Sequence, residues 1–384
     1  MFRMSSLAAA PLLSALAFAL PAEAETTVES SKGTTIAVAP VAEFNEPWAM
    51  TFLPDGSMLV TEKSGTLLHV AADGQEKTPV AGTPAVAYGG QGGLGDVVLH
   101  PNFAENRLVY LTFAEEGEGG QGAAVARARL AVDDGERPRL ENVAVIWRQV
   151  PKVSGMGHYS HRIAFGPDGM MFVTSGERQK KTPAQAMDSN LGKIVRLHDD
   201  GAVPSDNPFQ SDGEMARQFW TIGHRNMLGL AFDGGGQLWA HEMGPRGGDE
   251  LNRIEKGANY GWPNVSNGEN YDGSPIPDHA TSDAYTKPEI SWTPVIAPAG
   301  FVIYDGDLFA DWKGDGLIGG LRSQALVHVA FEDGGQGGTA TEVERFDMGQ
   351  RVREVEQGPD GALFVLEDGP GGRLLKLTPA STAK

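Results

Sequence analysis

HRIAFGPDGMMFVTSGER, residues 161–178, reads as two short apolar strands joined by a tight turn. In Pro167-Asp168-Gly169, proline presets φ, aspartate can bond its own backbone and glycine tolerates a left-handed conformation. The pattern returns along the chain. AMTFLPDGSMLVTEKSG turns at Asp55, GDVVLHPNFAENRLVYLTF at Asn102 and LGLAFDGGGQLWAHEMGP at Asp233. GFVIYDGDLFADWKGDGLIGG turns near Asp305, and VREVEQGPDGALFVLEDGP at Asp360. Successive turns are 47, 66, 65, 72 and 55 residues apart, each interval long enough for four strands with loops. Six such units and almost no amphipathic helix predict an all-β fold, a six-bladed β-propeller around a central channel. Hairpins stacked as a sandwich or β-helix are the alternative. The last unit ends near Leu377, and TTIAVAPVAEF (34–44) is placed to complete that blade and lock the ring.

Composition bounds the rest. Residues 1–24 read as a signal peptide: Arg3 supplies the positive start, LAAAPLLSALAFAL is a short apolar run, and Ala22-Glu23-Ala24 fits a small-x-small cleavage site. The alternative is a buried first helix. No second apolar run of spanning length follows, so residues 25–384 are expected as one exported propeller domain, periplasmic or secreted, without membrane insertion. The chain has no cysteine, which excludes disulfides, thiolate catalysis and cysteine-bound metals. A net charge of −19 argues against a nucleic-acid partner and is compatible with metal binding.

Some residues are not needed by the repeat. His158 and His161 in GMGHYSHRIAF precede the first strand of unit three, and either could be a strand-end hydrogen-bonding group or a base. Glu177, beyond the second strand, is placed to orient the ring of His158. His224, Arg225 and Asn226 precede unit four, Gln91 precedes unit two, and Arg351 and Arg353 precede unit six, on one face by strand alternation. Arg322 lies in unit five. Each arginine alone reads as a solvated surface residue. If blades present equivalent positions to one channel mouth, they converge there and call for an anion with several carboxylates or phosphates. HEMGPRGGDELN (241–252) crowds acids and glycines around Gly244-Pro245. An acid-Gly turn recurs after other second strands, but RGGDELN does not, and the stretch also reads as an oxygen-rich site for Ca²⁺.

From Phe44 to Leu377 the chain resembles the soluble, pyrroloquinoline quinone (PQQ)-dependent glucose/sorbosone dehydrogenases, especially their aldose sugar dehydrogenase branch. The resemblance is carried, in order, by PWAMTFLPDG, GQGGLGDVVLHPNF, GHYSHRIAFGPDG, NLGKIVRL, GHRN, HEMGPRGGDELN with GANYGWP, WTPVIAPAGFVIYDGD and RVREVEQGPDG. It implies that an aldose is oxidised at its anomeric hydroxyl to a lactone, with hydride passing to PQQ and electrons to an external acceptor. By the same resemblance His158 is the base, Glu177 orients it, and Arg225 polarises the quinone oxygen. Asn226, Arg322, Arg351 and Arg353 hold the quinone, and Gln91 lies near the reacting hydroxyl. Gly244 and Pro245 are implied to hold a catalytic Ca²⁺ through their carbonyls, and Glu250 and Tyr260 a structural one. The chain departs from the pattern at Met243, where relatives carry Gln or His, and at Gly157, where the glucose enzymes carry an acid. A calcium-dependent lactonase or phosphotriesterase propeller, which does not need the arginines, and a non-catalytic exported binding propeller, which predicts no quinone uptake, are the rival readings.

Overall fold

The computed structural model describes residues 25–132, 135–332 and 339–380. The expected signal peptide lies outside the described residues. Six antiparallel sheets follow one another along the chain, and the first strands of their blades are Pro47–Phe52, Leu94–Leu99, Ser160–Phe165, Met227–Phe232, Pro298–Ile303 and Val352–Gln357. Each packs against the first strands of the two neighbouring blades, and the sixth packs against the first, so the ring closes around a channel. This is the six-bladed propeller predicted from the turns.

The turn chemistry explains the repetition. In blades 1, 3 and 6 the aspartate Oδ1 accepts the amide two residues on (Ser57 at 3.0 Å, Met170 and Ala362 at 3.1 Å), while the intervening glycine has positive φ. Two turns differ. Asn102 opens a short α-helix, Phe103–Asn106, closed by Arg107 in the left-handed region. Blade 5 replaces the tight turn with a longer loop in which Phe309 stacks on Trp312 at 4.4 Å. Cores of Val, Leu, Phe and Trp fill the spaces between successive blades.

Blade 6 is closed by the chain's beginning. Thr35–Asn45 pairs antiparallel with Pro370–Pro379, from Ile36 opposite Pro379 to Asn45 opposite Pro370, as the segment 34–44 suggested. Thr26–Glu29 adds a further strand outside it. The loops entering first strands and leaving second strands share one end of the channel, and the chemistry-bearing residues gather there.

Candidate active site

Two adjoining cavities open at that end. One, about 350 Å³, is lined by His158, Glu177, Lys181, Arg225, Trp262 and Tyr271 among others. The other, about 330 Å³, is lined among others by Gln91, His161, Asn226, Met243, Arg351 and Arg353. Backbone strain concentrates around both. Of eleven non-glycine residues with positive φ among the described residues, seven line these cavities: Glu46, His158, Ser160, His161, Gln179, Lys181 and Ala297. Such conformations cost free energy and persist where the surroundings over-determine them.

His158 and Glu177 form a buried pair, Nδ1 to Oε1 at 2.5 Å. Glu177 also accepts the amide of Gln179 at 3.0 Å and that of Lys181. Burial opposes ionisation of Glu177, but the hydrogen bonds and charge of His158, with the Lys181 amide and Arg225, win and hold its carboxyl below the usual range. Burial is the main force pulling the His158 pKa down; Arg225 and Arg178 act the same way and Glu177 against them. At neutral pH the ring is therefore neutral. With the carboxylate as acceptor, Nδ1 carries the proton and Nε2 keeps its lone pair. Gln91 accepts the His158 amide at 2.6 Å and so joins the two cavities.

His161 differs in kind. It is buried, meets Thr112 Oγ1 at 2.7 Å, stacks on Trp48 at 4.9 Å, and burial pulls its pKa down to about 3. It forms part of a wall.

Arg351 and Arg353 do converge, but not as bare charges. Their Nε atoms each lie 2.8 Å from an oxygen of Asp368, which follows the second strand of the same blade. Burial would raise the Asp368 pKa; Arg353 and Arg351 outweigh it and keep the group ionised. Asp368 thus offsets the repulsion between the two guanidinium groups. Arg322 is not brought into the cavity lining: it sits in an exposed turn, and its neighbour Leu321 reaches the cavity. Asn226 accepts from Ser160 Oγ at 3.2 Å and contacts the Met243 sulfur at 3.7 Å.

Arg225 is 5% exposed and links the cavities to the Gly244 loop. Its Nη1 donates to Met243 O at 2.9 Å and Gly244 O at 2.8 Å, and its Nη2 to Tyr271 Oη at 3.1 Å. Its buried Nε has no protein partner. Gly244 cannot carry a side chain: a Cβ there would lie 2.3 Å from the carbonyl oxygens of both Gly247 and Gly248. Pro245 lines the same cavity as His158. Asp249 holds the Gly244 and Ala297 amides at 2.8 and 2.7 Å, and burial pushes its pKa up to about 6.

Glu250 and Tyr260 line a separate void of about 10 Å³, with Glu242, Gly244, Gly248 and Ser266. That is room for a single small occupant. Glu250 meets His279 Nε2 at 3.1 Å and Asn252 at 3.3 Å, and burial raises its pKa. The Tyr260 hydroxyl is already committed to Arg253 O at 2.5 Å, so any ligation by this residue falls to its main chain. Among the described residues no three His, Asp or Glu side chains converge in metal-binding geometry. A cation here would therefore draw on backbone oxygens as well as carboxylates.

The stretch from Gly261 to Trp292 folds against the cavity of His158. It contributes Trp262, whose ring lies 5.2 Å from the Arg225 guanidinium, and Asn270, which accepts from Lys181 Nζ at 2.7 Å. GANYGWP carried a signal for Trp262. Nothing in ENYDG distinguishes Tyr271 or Asp272 from an exposed turn.

Fold and site together define a six-bladed propeller with a buried histidine–glutamate pair and an arginine-bearing pocket at one channel mouth. The chain belongs to the Glucose / Sorbosone dehydrogenase family, whose model matches residues 44–376. It is 39% identical to the aldose sugar dehydrogenase YliI of Escherichia coli over 345 residues, covering 88% of this chain and 91% of that one. The crystal structure of the soluble aldose sugar dehydrogenase of Escherichia coli, in the apo form, superposes with a TM-score of 0.84 at 37% identity, over 90% of this chain and 100% of the other. The PQQ-bound aldose sugar dehydrogenase of Streptomyces coelicolor superposes with a TM-score of 0.74 at 27% identity, over 89% and 97%.

Proposed function

We propose that this protein is a PQQ-dependent aldose sugar dehydrogenase that oxidises the anomeric C1 hydroxyl to a lactone and passes electrons to an external acceptor. The observation that carries this reading is the His158–Glu177 pair facing one cavity while Arg351 and Arg353 face the next. PQQ, when bound, supplies the two-electron acceptor for the sugar's hydride. The residues suit such a group. Trp48, Tyr159, Leu228 and Met243 give the 330 Å³ cavity apolar walls for a flat ring system, and Arg351 and Arg353 offer donors to carboxylates. The orphaned Arg225 Nε awaits an anionic oxygen.

His158 Nε2 takes the hydroxyl proton of the sugar. Glu177 keeps the ring in the required tautomer and stabilises the imidazolium that forms. Arg225 sets a fixed positive charge where negative charge develops on the acceptor. Asn226, Arg351 and Arg353 hold the quinone, and Gln91 orients the base segment. Arg322 would have to move inward to take part.

The Gly244 cradle and the Glu250 void suit Ca²⁺, with Gly244 and Pro245 carbonyls as ligands at one site and Glu250 with the Tyr260 main chain at the other. The leader read from residues 1–24 supports export to the periplasm or beyond. The test is reconstitution of chelator-treated protein: dye-linked aldose oxidation should return only when both PQQ and Ca²⁺ are added. Full activity without added quinone sinks the proposal, as does none with both.

A further inference from the structure

The loop between the second and third strands of blade 3, residues 176–192, carries Glu177, Gln179 and Lys181 against the base cavity. Three of its non-glycine residues, Arg178, Gln179 and Lys181, have positive φ. Such a course needs an anchor, and the anchor is a single ammonium group. Lys193, first residue of the strand Lys193–Leu197, is fully buried. Its Nζ donates to Pro183 O at 2.7 Å, Leu191 O at 2.9 Å and Ala184 O at 3.0 Å. Three donors meet three carbonyls. A leucine or methionine would fill the volume without desolvating a charge, so the donors are what the position requires. Burial pulls the Lys193 pKa down, while Asp188 and the three carbonyl acceptors favour the ammonium form. The Phe219 ring lies 5.2 Å away.

We infer that Lys193 is a positioning residue for the base, acting on His158 through the turn Thr182–Gln185 and Glu177; the inference rests on His158 being the base. Each link is present. Lys193 fixes the Pro183 and Ala184 carbonyls. The Ala184 amide bonds Lys181 O at 3.0 Å. The Lys181 amide bonds Glu177 Oε2, and Glu177 Oε1 holds the His158 ring. Across the base a second buried cation holds the opposite segment in the same way: Arg178 donates to Gly157 O at 2.8 Å and to Gln121 O and Gly155 O at 2.6 Å. Both strained segments beside the base are thus tied by cations to backbone carbonyls.

The chain contains no cysteine, so Lys193→Cys introduces a unique thiol. Aminoethylation of that thiol in denaturant, followed by refolding, regenerates an ammonium close to the native position. In reconstituted enzyme, Lys193→Cys should lose 10- to 100-fold in kcat, while sugar KM and quinone affinity stay within about threefold. The acid limb of kcat/KM should move to lower pH, because a displaced Glu177 no longer holds up the His158 pKa. Aminoethylation should restore both. An acid limb that stays in place, or a kcat that falls with no recovery in modified protein that melts like wild type, overturns the inference. If the cysteine variant does not refold, Lys193→Gln keeps two donors and is measured instead, with the same shift required. His158→Ala separates the two levels: activity surviving that change removes the base itself, whereas its loss beside an unaffected Lys193 variant removes only the positioning role.

Discussion

At the scale of single residues, two histidines three positions apart have opposite environments. His158 keeps one nitrogen for Glu177 and one for the cavity; His161 is stacked on Trp48 and bonded to Thr112. His158→Ala in reconstituted enzyme should therefore lower kcat by about 10²- to 10⁴-fold with quinone affinity nearly intact. His161→Ala should act mainly on the melting temperature through the cavity it leaves. The reverse pattern in paired kinetic and melting measurements would reassign the base. Wild-type activity should fall as pH drops through the depressed His158 pKa, because the protonated ring has no lone pair to offer. Strand-end placement marked both histidines in the sequence. It could not separate them, since the difference lies in partners drawn from other blades, Trp48 and Thr112.

At the scale of the element, the hairpin of blade 6 brings Arg351 and Arg353 to one face and then sets Asp368 between them. Alternation along one strand predicted the first fact. The second depends on pairing across the hairpin, which no single strand reveals. Arg353→Met should weaken PQQ binding by about 10- to 150-fold, the loss of one charge-assisted bond worth roughly 1.5–3 kcal/mol. It should also lower the melting temperature of quinone-free protein, because a largely buried Asp368 is left with one cation. Arg351, with its side chain 46% exposed, should cost less on both counts. Quinone titration and thermal melts of the two variants check the order; equal effects would mean that burial does not set it. Arg322 stands outside the cavity lining for a related reason. Its position after a second strand is equivalent to that of the other site residues, but the turn that carries it points the side chain outward.

At the scale of the whole molecule, the repeated turn made the ring legible, and the uneven spacing between turns came from loops that build the site. The channel was not legible, because it is lined by single residues from separate blades. There Arg162 pairs with Asp96 and Glu354, while Glu356 faces the same cavity of about 190 Å³. Burial, then Glu354 and Asp96, raises the Glu356 pKa well above its ordinary value. The folded state then binds more protons than the unfolded chain above pH 4.5, so this residue's contribution to stability declines as pH rises through that window. Glu356→Gln should raise the melting temperature at pH 8 and change it little at pH 4. An equal rise at both would show that charge is not the cause.

The pairing of Thr35–Asn45 with Pro370–Pro379 also sets a timetable. About 325 residues separate the two strands, so the first waits roughly 15 to 65 seconds for its partner at ordinary synthesis rates. Until then the first blade has no sixth blade beside it, and the mouth holding His158 and Arg353 is not assembled. The molecule cannot acquire its site piecemeal during synthesis. Any ligand of the finished mouth must meet a chain already made through Pro379.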